Sequence, residues 1–400
     1  MSKQITTLII GNGFDLAHGL PTSYREFLCF CECVKNVFDG SVINRSTVQK
    51  ILNMVAHEQI REKLLNIFDS CTISSSSNGS RKIVFCKNHE YMSELINYIH
   101  SNIWIKYFRT VEKKSNTTWI DFETEIANVI KAFEKRKAIL DRDESATNDS
   151  SRNGEIINKI NSLSKKEYHL NSNLDDLDLI AAELDSNLQM LIRALEIYIA
   201  FFVNEIDISR SIPDIEGLCP DRILSFNYSN TYSRVYGTKG GRIIDFVHGK
   251  ATQDHDINSC NMVVGIDDYL DEKERNEKLD YLCFKKYYQR IIKETSSEYL
   301  EWEREIEEDR IDEYKNRRFV FYVYGHSLDV TDKDILKKLF NHENVIVKIF
   351  YYREFENDKR NLGKLIKNMI KIVGRDELIR RTGPNEQTIV FIPQTIVTKQ

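Results

Sequence analysis

Four short segments of this chain set glycine beside groups that can do chemistry. The first is Gly11-Asn12-Gly13-Phe14-Asp15. Glycine lets a backbone approach a ligand closely, and N–H groups at a helix start attract anions, so this loop suits a phosphate or nucleotide. The third glycine of a dinucleotide fingerprint is missing, because Leu16 stands there. A plain tight turn would use the same residues. The second segment is Leu224-Ser225-Phe226-Asn227-Tyr228-Ser229-Asn230. Ser225 and Asn227 offer a hydroxyl and an amide, either to a ligand or to an Asx turn that caps the next helix. The third is Phe246-Val247-His248-Gly249. An imidazole with an ordinary pKa of about 6.5 serves as a base near neutral pH, or hydrogen-bonds a neighbouring loop. The fourth runs Val323-Tyr324-Gly325-His326-Ser327-Leu328-Asp329 and is followed by Asp332. Its hydroxyl and carboxylate suit ribose hydroxyls. The alternative is a helix start capped by Thr331 or Asp332.

Each segment follows a run of apolar residues, and those runs must position it. Ile5–Ile10 is short, β-branched and apolar, and reads as a strand buried on both faces. Gly11–Gly19 reads as a turn and Tyr24–Phe38 as a helix. After Gly217, six runs read as strands: Arg222–Phe226, Arg242–Val247, Asn261–Gly265, Phe319–Tyr324, Val345–Tyr351 and Thr388–Ile392. Helical patterns separate several of them, which predicts a parallel α/β sheet. Ligands of such sheets bind in the crevice at the carboxyl ends of the strands, where all four segments fall.

Residues 30 to 215 read as mostly helical, with candidates at Tyr91–Val111, Trp119–Ile139 and Leu174–Ile206. In the last, Leu188, Leu191, Leu195 and Ile199 keep helical spacing. Ser70–Ser80 and Asp141–Ser164 are polar and read as exposed loops or disordered segments. Asp271–Lys315 reads as a highly charged helical insertion. The expected organisation is an α/β nucleotide-binding domain of residues 1–30 and 218–400. A mostly helical insertion at 31–217 and the charged insertion at 271–315 interrupt it.

Composition narrows the class. With 41% apolar and 29% charged residues the chain is globular, and only 5 Pro exclude Pro-rich architectures. Lys and Arg number 56 against 61 Asp and Glu, a net charge of −5, which lacks the field of a non-specific nucleic-acid or membrane-surface binder. Eight cysteines, three of them at Cys29, Cys31 and Cys33, include no C-x-x-C pair. They read as reduced thiols of a cytoplasmic protein, with no structural zinc expected. Leu8–Ile10 runs straight into Gly11, a strand end rather than a signal peptide. The longest apolar stretch, Ile197–Val203, is too short to span a bilayer.

The opening Leu8-Ile9-Ile10-Gly11-Asn12-Gly13-Phe14-Asp15-Leu16-Ala17-His18-Gly19-Leu20-Pro21-Thr22 resembles the signature of the bacteriophage abortive infection AbiH family. Ser225-Phe226-Asn227-Tyr228 and Gly325-His326-Ser327-Leu328-Asp329 resemble it too. Trp119-Ile120-Asp121-Phe122-Glu123 is better explained by core packing and helix capping. More remotely, the order of motifs is similar to sirtuin-like NAD-binding domains. Gly11 and Gly13 are followed by Gly19-Leu20-Pro21 at the sirtuin spacing, and Arg25 falls one residue from the register of the sirtuin arginine. Asn227 resembles the asparagine beside the nicotinamide ribose, His248-Gly249 the catalytic His-Gly, and Gly325, Ser327 and Asp329 a ribose- and phosphate-contacting motif of sirtuin-like phage-defence effectors. Two features depart from sirtuins. Asn-x-Asp has become Asn227-Tyr228-Ser229, and the four-cysteine zinc ribbon is absent.

These resemblances imply a sirtuin-like Rossmann-type parallel sheet with large helical insertions. They imply an abortive-infection effector that hydrolyses NAD, without a metal, at the nicotinamide–ribose bond. His248 would be the general base, and Asn227 would hold the ribose and the attacking water. Gly11, Asn12, Gly13, Phe14 and Asp15 would carry the pyrophosphate through backbone N–H groups, with Asp15 capping the following helix. Ser225, Gly325, His326, Ser327 and Asp329 would complete the cofactor site. A phage or host trigger protein and self-association through the helical insertion are the expected partners. Two rivals remain at this point. One is a sensor that binds a nucleotide without cleaving it. The other is an RNase, since Arg242 and His248 stand at an R-x5-H spacing, although Arg242–Val247 reads as a strand and that motif belongs on a helix.

Overall fold

A computed structural model describes residues 4–39, 41, 44–75, 81–115, 120–142, 151–209, 211–237, 242–267, 281–311 and 317–396. Trp119, residues 76–80 and 143–150 of the two polar stretches, and residues 271–280 and 312–315 of the charged stretch lie outside the described residues. The chain divides into two compact units. One comprises Met1–Leu20, Asp207–Lys250 and Glu294–Gln400, the other Pro21–Ile206 and Ala251–Lys293.

The first unit is built on six strands: β1 (Gln4–Ile10), β2 (Arg222–Ser225), β3 (Ile243–Phe246), β4 (Arg318–Tyr324), β5 (Val345–Tyr351) and β6 (Ile389–Pro393). All neighbours pair in parallel, in the spatial order β3-β2-β1-β4-β5-β6. That is the Rossmann-type order, and its switch point lies between β1 and β4. Successive residues alternate between two cores. Ile5 and Ile9, with Phe319, Phe321 and Val323, pack against the side that holds Trp302, Leu336 and Met369. Leu8 and Ile10, with Ile223 and Tyr324, pack against Phe14, Ile212, Ile215 and Tyr232. Burial of both faces is why these runs are continuously apolar rather than alternating.

The expected strand Asn261–Gly265 is not one, and it belongs to the second unit. Met262–Gly265 is buried, but the partner of Val264 is a side chain. Gln289 takes the Val264 N–H on Oε1 at 3.2 Å and donates Nε2 to the Val264 carbonyl at 3.0 Å, doing the work of a neighbouring strand.

The second unit is largely helical. Helix Tyr24–Phe38 starts at a capping box in which Ser23 and Glu26 satisfy each other's backbone N–H groups, and it buries Phe27, Phe30, Cys31, Val34 and Val37 along one face. Helix Leu174–Phe201 is its core. The stretch Leu174–Glu205 is long and apolar enough to cross a membrane, well beyond the run Ile197–Val203, yet 78% of its apolar window is buried inside the fold. Tyr91–Val111 is two helices, Glu90–His100 and Ile103–Ser115. Asn102 breaks them, its Oδ1 accepting from the Ile105 N–H at 3.2 Å and its Nδ2 donating to the Asn187 carbonyl at 2.8 Å. Asp121 caps helix Phe122–Leu140.

Both polar stretches contain structure. Thr72–Ser75 pairs antiparallel with Arg81–Val84. Arg152–Leu163 is a helix, because Ser151, whose type reads as loop, is its N-cap, and Ile157 and Ile160 are buried at helical spacing.

Candidate active site

Register brings the four chemical segments into line. Ile10 is level with Ser225 of β2 and with Tyr324 of β4, and Ser225 is level with Phe246 of β3. Two residues past that line stand Asn12, Asn227, His248 and His326. Parallel strands in this register put one amide or imidazole at the carboxyl end of each, across the switch point.

The side chains then sort into two clusters. In the first, Asp332 bridges two imidazoles. Its Oδ1 lies 3.2 Å from Nε2 of His248 and its Oδ2 3.3 Å from Nε2 of His326. The ring of Phe226 stands beside both, with centroids 5.4 Å from His248 and 4.3 Å from His326. The ends of β3 and β4 are three strand spacings apart, about 14 Å, so both imidazoles must lean inward. Gly11 makes room for this, because a Cβ there would lie 2.9 Å from Cδ2 of His326 and 2.7 Å from its Cα. His248 is 4% exposed, His326 7% and Asp332 9%. Asp332 holds the N-cap position of helix Lys333–Phe340, as its type suggests, but its side chain makes no cap bond. The carboxylate turns to the histidines instead.

The second cluster surrounds Asp15. Ser229 donates its Oγ to Asp15 Oδ2 at 2.6 Å and lies 2.9 Å from the Thr231 hydroxyl. Burial pushes the Asp15 carboxyl from its ordinary 3.8 up to about 6, against the hydrogen bonds from Ser229, Thr231 and Asn227 and the nearby charge of Arg234. Asn227 donates Nδ2 to the Gly11 carbonyl at 3.0 Å. Gly11 therefore touches both clusters. Ser229 thus brings a hydroxyl from the segment after β2 onto the carboxyl of the opening loop.

The opening loop folds differently from a turn. Asn12–Ala17 is a short helix, and Asp15 lies within it rather than capping a following one. Three of its N–H groups serve the chain itself: Gly11 N–H bonds to the Tyr324 carbonyl at 3.3 Å, Gly13 N–H to Gly325 at 2.8 Å and Phe14 N–H to Gly11 at 2.8 Å. A Cβ on Gly13 would sit 2.8 Å from Gly325 Cα, and one on Gly325 would sit 2.1 Å from Phe14 N. These glycines thus let two backbones meet. Phe14 is fully buried in an aromatic group with His18, Tyr232, Tyr236 and Tyr324. His18 spans from the Phe14 carbonyl (Nδ1, 2.8 Å) to the Tyr236 hydroxyl (Nε2, 3.1 Å).

The other expected site residues are placed as follows. Ser225 is buried and bonds within its own turn, its Oγ donating to the Asn227 carbonyl at 3.0 Å. Ser327 is exposed, and Asp329 is half-buried and accepts from the Thr331 N–H at 3.3 Å. Arg25, in the second unit, pairs with Glu112 at 3.2 Å. Arg242 and His248 flank strand β3 rather than sharing a helix, and His248 faces Asp332. The residue that sequence reasoning leaves out of the chemistry is Asp332. The signal for it was its place six residues after His326, which reads equally well as a helix cap.

No curated protein and no solved structure matches the chain. A family model, bacteriophage abortive infection AbiH, matches residues 7–352. That span contains every residue of both clusters and most of the chain, and on it the chain belongs to the bacteriophage abortive infection AbiH family.

Proposed function

We propose that this protein acts in abortive infection by hydrolysing NAD at the bond between nicotinamide and ribose. The observation that carries this reading is the row of Asn12, Asn227, His248 and His326 along the carboxyl edge of a Rossmann-type sheet, at its switch point. Nicotinamide leaves as a neutral molecule from a pyridinium, so no strong acid is required. The site must orient the ribose, limit water and supply one base. His248 takes the proton of the attacking water or of a ribose hydroxyl. Water adds to the anomeric carbon as the carbon–nitrogen bond breaks, giving ADP-ribose, nicotinamide and a proton. Asn227, tied to the Gly11 carbonyl, holds the ribose. With three loop N–H groups engaged within the chain, the pyrophosphate meets the loop at the half-exposed Asn12, and Ser327 and Asp329 face the adenosine-side ribose. Such an effector must be silent before infection. The helical second unit is where a phage or host trigger protein, or a second copy of the chain, would act.

The engaged loop N–H groups and the burial of His248 also favour a second reading, a sensor that holds a nucleotide without cleaving it. One experiment separates the two. Purified protein, alone and in lysate of infected cells, is given NAD while nicotinamide release and NAD retention are followed, with His248→Ala in parallel. Release by the wild type and not by the variant supports hydrolysis. Equal release by both removes His248 from the reaction, and retention of intact NAD supports the sensor.

A further inference from the structure

We propose that Asp332 is a positioning residue that holds His248 and His326 together through close contacts of its two carboxylate oxygens with their Nε2 atoms, with His326 locked in a single tautomer by the backbone of Leu328. Nδ1 of His326 accepts the Leu328 N–H at 2.9 Å. A nitrogen that accepts a hydrogen bond carries no proton, so the ring proton of neutral His326 sits on Nε2. That nitrogen faces Asp332 Oδ2 at 3.3 Å. The carboxylate is thereby oriented, and its other oxygen faces Nε2 of His248 at 3.2 Å.

Backbone strain is a second, independent observation. Leu328 is fully buried yet has φ +55°, and Gly325 three residues earlier has φ +70°. A leucine in the left-handed region is disfavoured and persists only where its surroundings impose it. Here the strain aims the Leu328 N–H at the imidazole. The Phe226 ring stands edge-on to His248 and tilted to His326, in contact distance of both. The chain thus spends a strained residue, a glycine without Cβ at position 11 and a buried carboxylate on fixing two rings. Carboxylates that orient an imidazole base act in this way in enzymes generally.

The bridge stands on these contacts alone, and its catalytic consequence rests on the NAD reading, so the test has two arms. In the first, full-length protein with 15N-labelled histidines is compared with Asp332→Asn and Asp332→Ala by NMR. The signals of His248 and His326 are assigned from His248→Gln and His326→Gln. Both imidazoles are expected to shift in each Asp332 variant while the other seven of the nine histidines hold their positions. A shift of one imidazole only, or of neither, overturns the bridge. The isosteric Asp332→Asn keeps this readable if Asp332→Ala fails to fold. In the second arm, NAD turnover by Asp332→Asn is expected to fall roughly tenfold to a hundredfold with KM unchanged. Wild-type turnover in a variant whose imidazoles have shifted overturns the positioning role. If no preparation turns over NAD even in lysate of infected cells, the NAD reading fails, and the spectra still decide the bridge.

Discussion

At the residue scale the carboxyl of Asp15 sets a pH dependence with a definite sign. Its value in the folded chain, about 6, lies above its ordinary 3.8, so folding favours the protonated form. The stability linked to this group is fully present below the ordinary value and is lost as pH rises through about 6. The shift corresponds to about 3 kcal/mol at most. Asp15→Asn keeps an acceptor for the Ser229 hydroxyl and removes the ionisation. Urea unfolding of both proteins at about pH 4 and about pH 7 should therefore show the variant gaining on the wild type by up to about 3 kcal/mol at the higher pH. An equal difference at the two pH values would mean that this carboxyl is not the strained one. The types of these residues are visible in the sequence, but their partners are not. Asp15 and Ser229 are 214 positions apart, and Asp332 reads as a cap because its local neighbours allow one.

At the element scale the glycines of the switch point act by letting β1 and β4 end in contact. Gly19 and Gly325 both have positive φ, +81° and +70°. A Cβ at Gly19 meets nothing within 4 Å, whereas one at Gly325 would overlap Phe14 N and Gly13 C. Gly19→Ala should therefore cost about 1 kcal/mol, from backbone strain alone. Gly325→Ala should cost at least about 3 kcal/mol, because collision adds to strain. Denaturant midpoints of the two variants check the difference, and equal losses would mean that the two backbones do not touch. A related expectation concerns Gln289. Gln289→Leu leaves the buried N–H and carbonyl of Val264 without their amide partner and should cost about 2–4 kcal/mol, read from thermal unfolding. The misreading of Asn261–Gly265 has the same root. An apolar run reads as a strand wherever its hydrogen bonds go, and those of Val264 go to a side chain.

At the scale of the whole molecule, family membership and site geometry meet in one expectation. Cells carrying the wild-type gene should restrict phage and lose NAD on infection, and cells carrying His248→Ala should do neither at equal protein level. Plaque counts and NAD assays after infection check this. Restriction that survives the substitution with NAD intact would move the function away from the clustered histidines. Asp332→Asn should weaken restriction less than His248→Ala, as a positioning group acts through the base it orients.

What could be read along the chain was whatever depends on near neighbours. The apolar runs marked five of the sheet's strands besides β1, the pattern over Tyr24–Phe38 marked a helix, and glycine beside amide or imidazole marked the strand ends. Polar stretches misled where a single serine served as cap, as at Ser151. Strand order, register and pairing required the folded chain. They decided that four segments from residue 12 to residue 326 lie in one row, that Ser229 meets an acid from the opening loop, and that one carboxylate joins two histidines. The reason is physical: propensity and capping act over a few residues, whereas a parallel sheet joins strands hundreds of positions apart through backbone bonds that carry no residue signature.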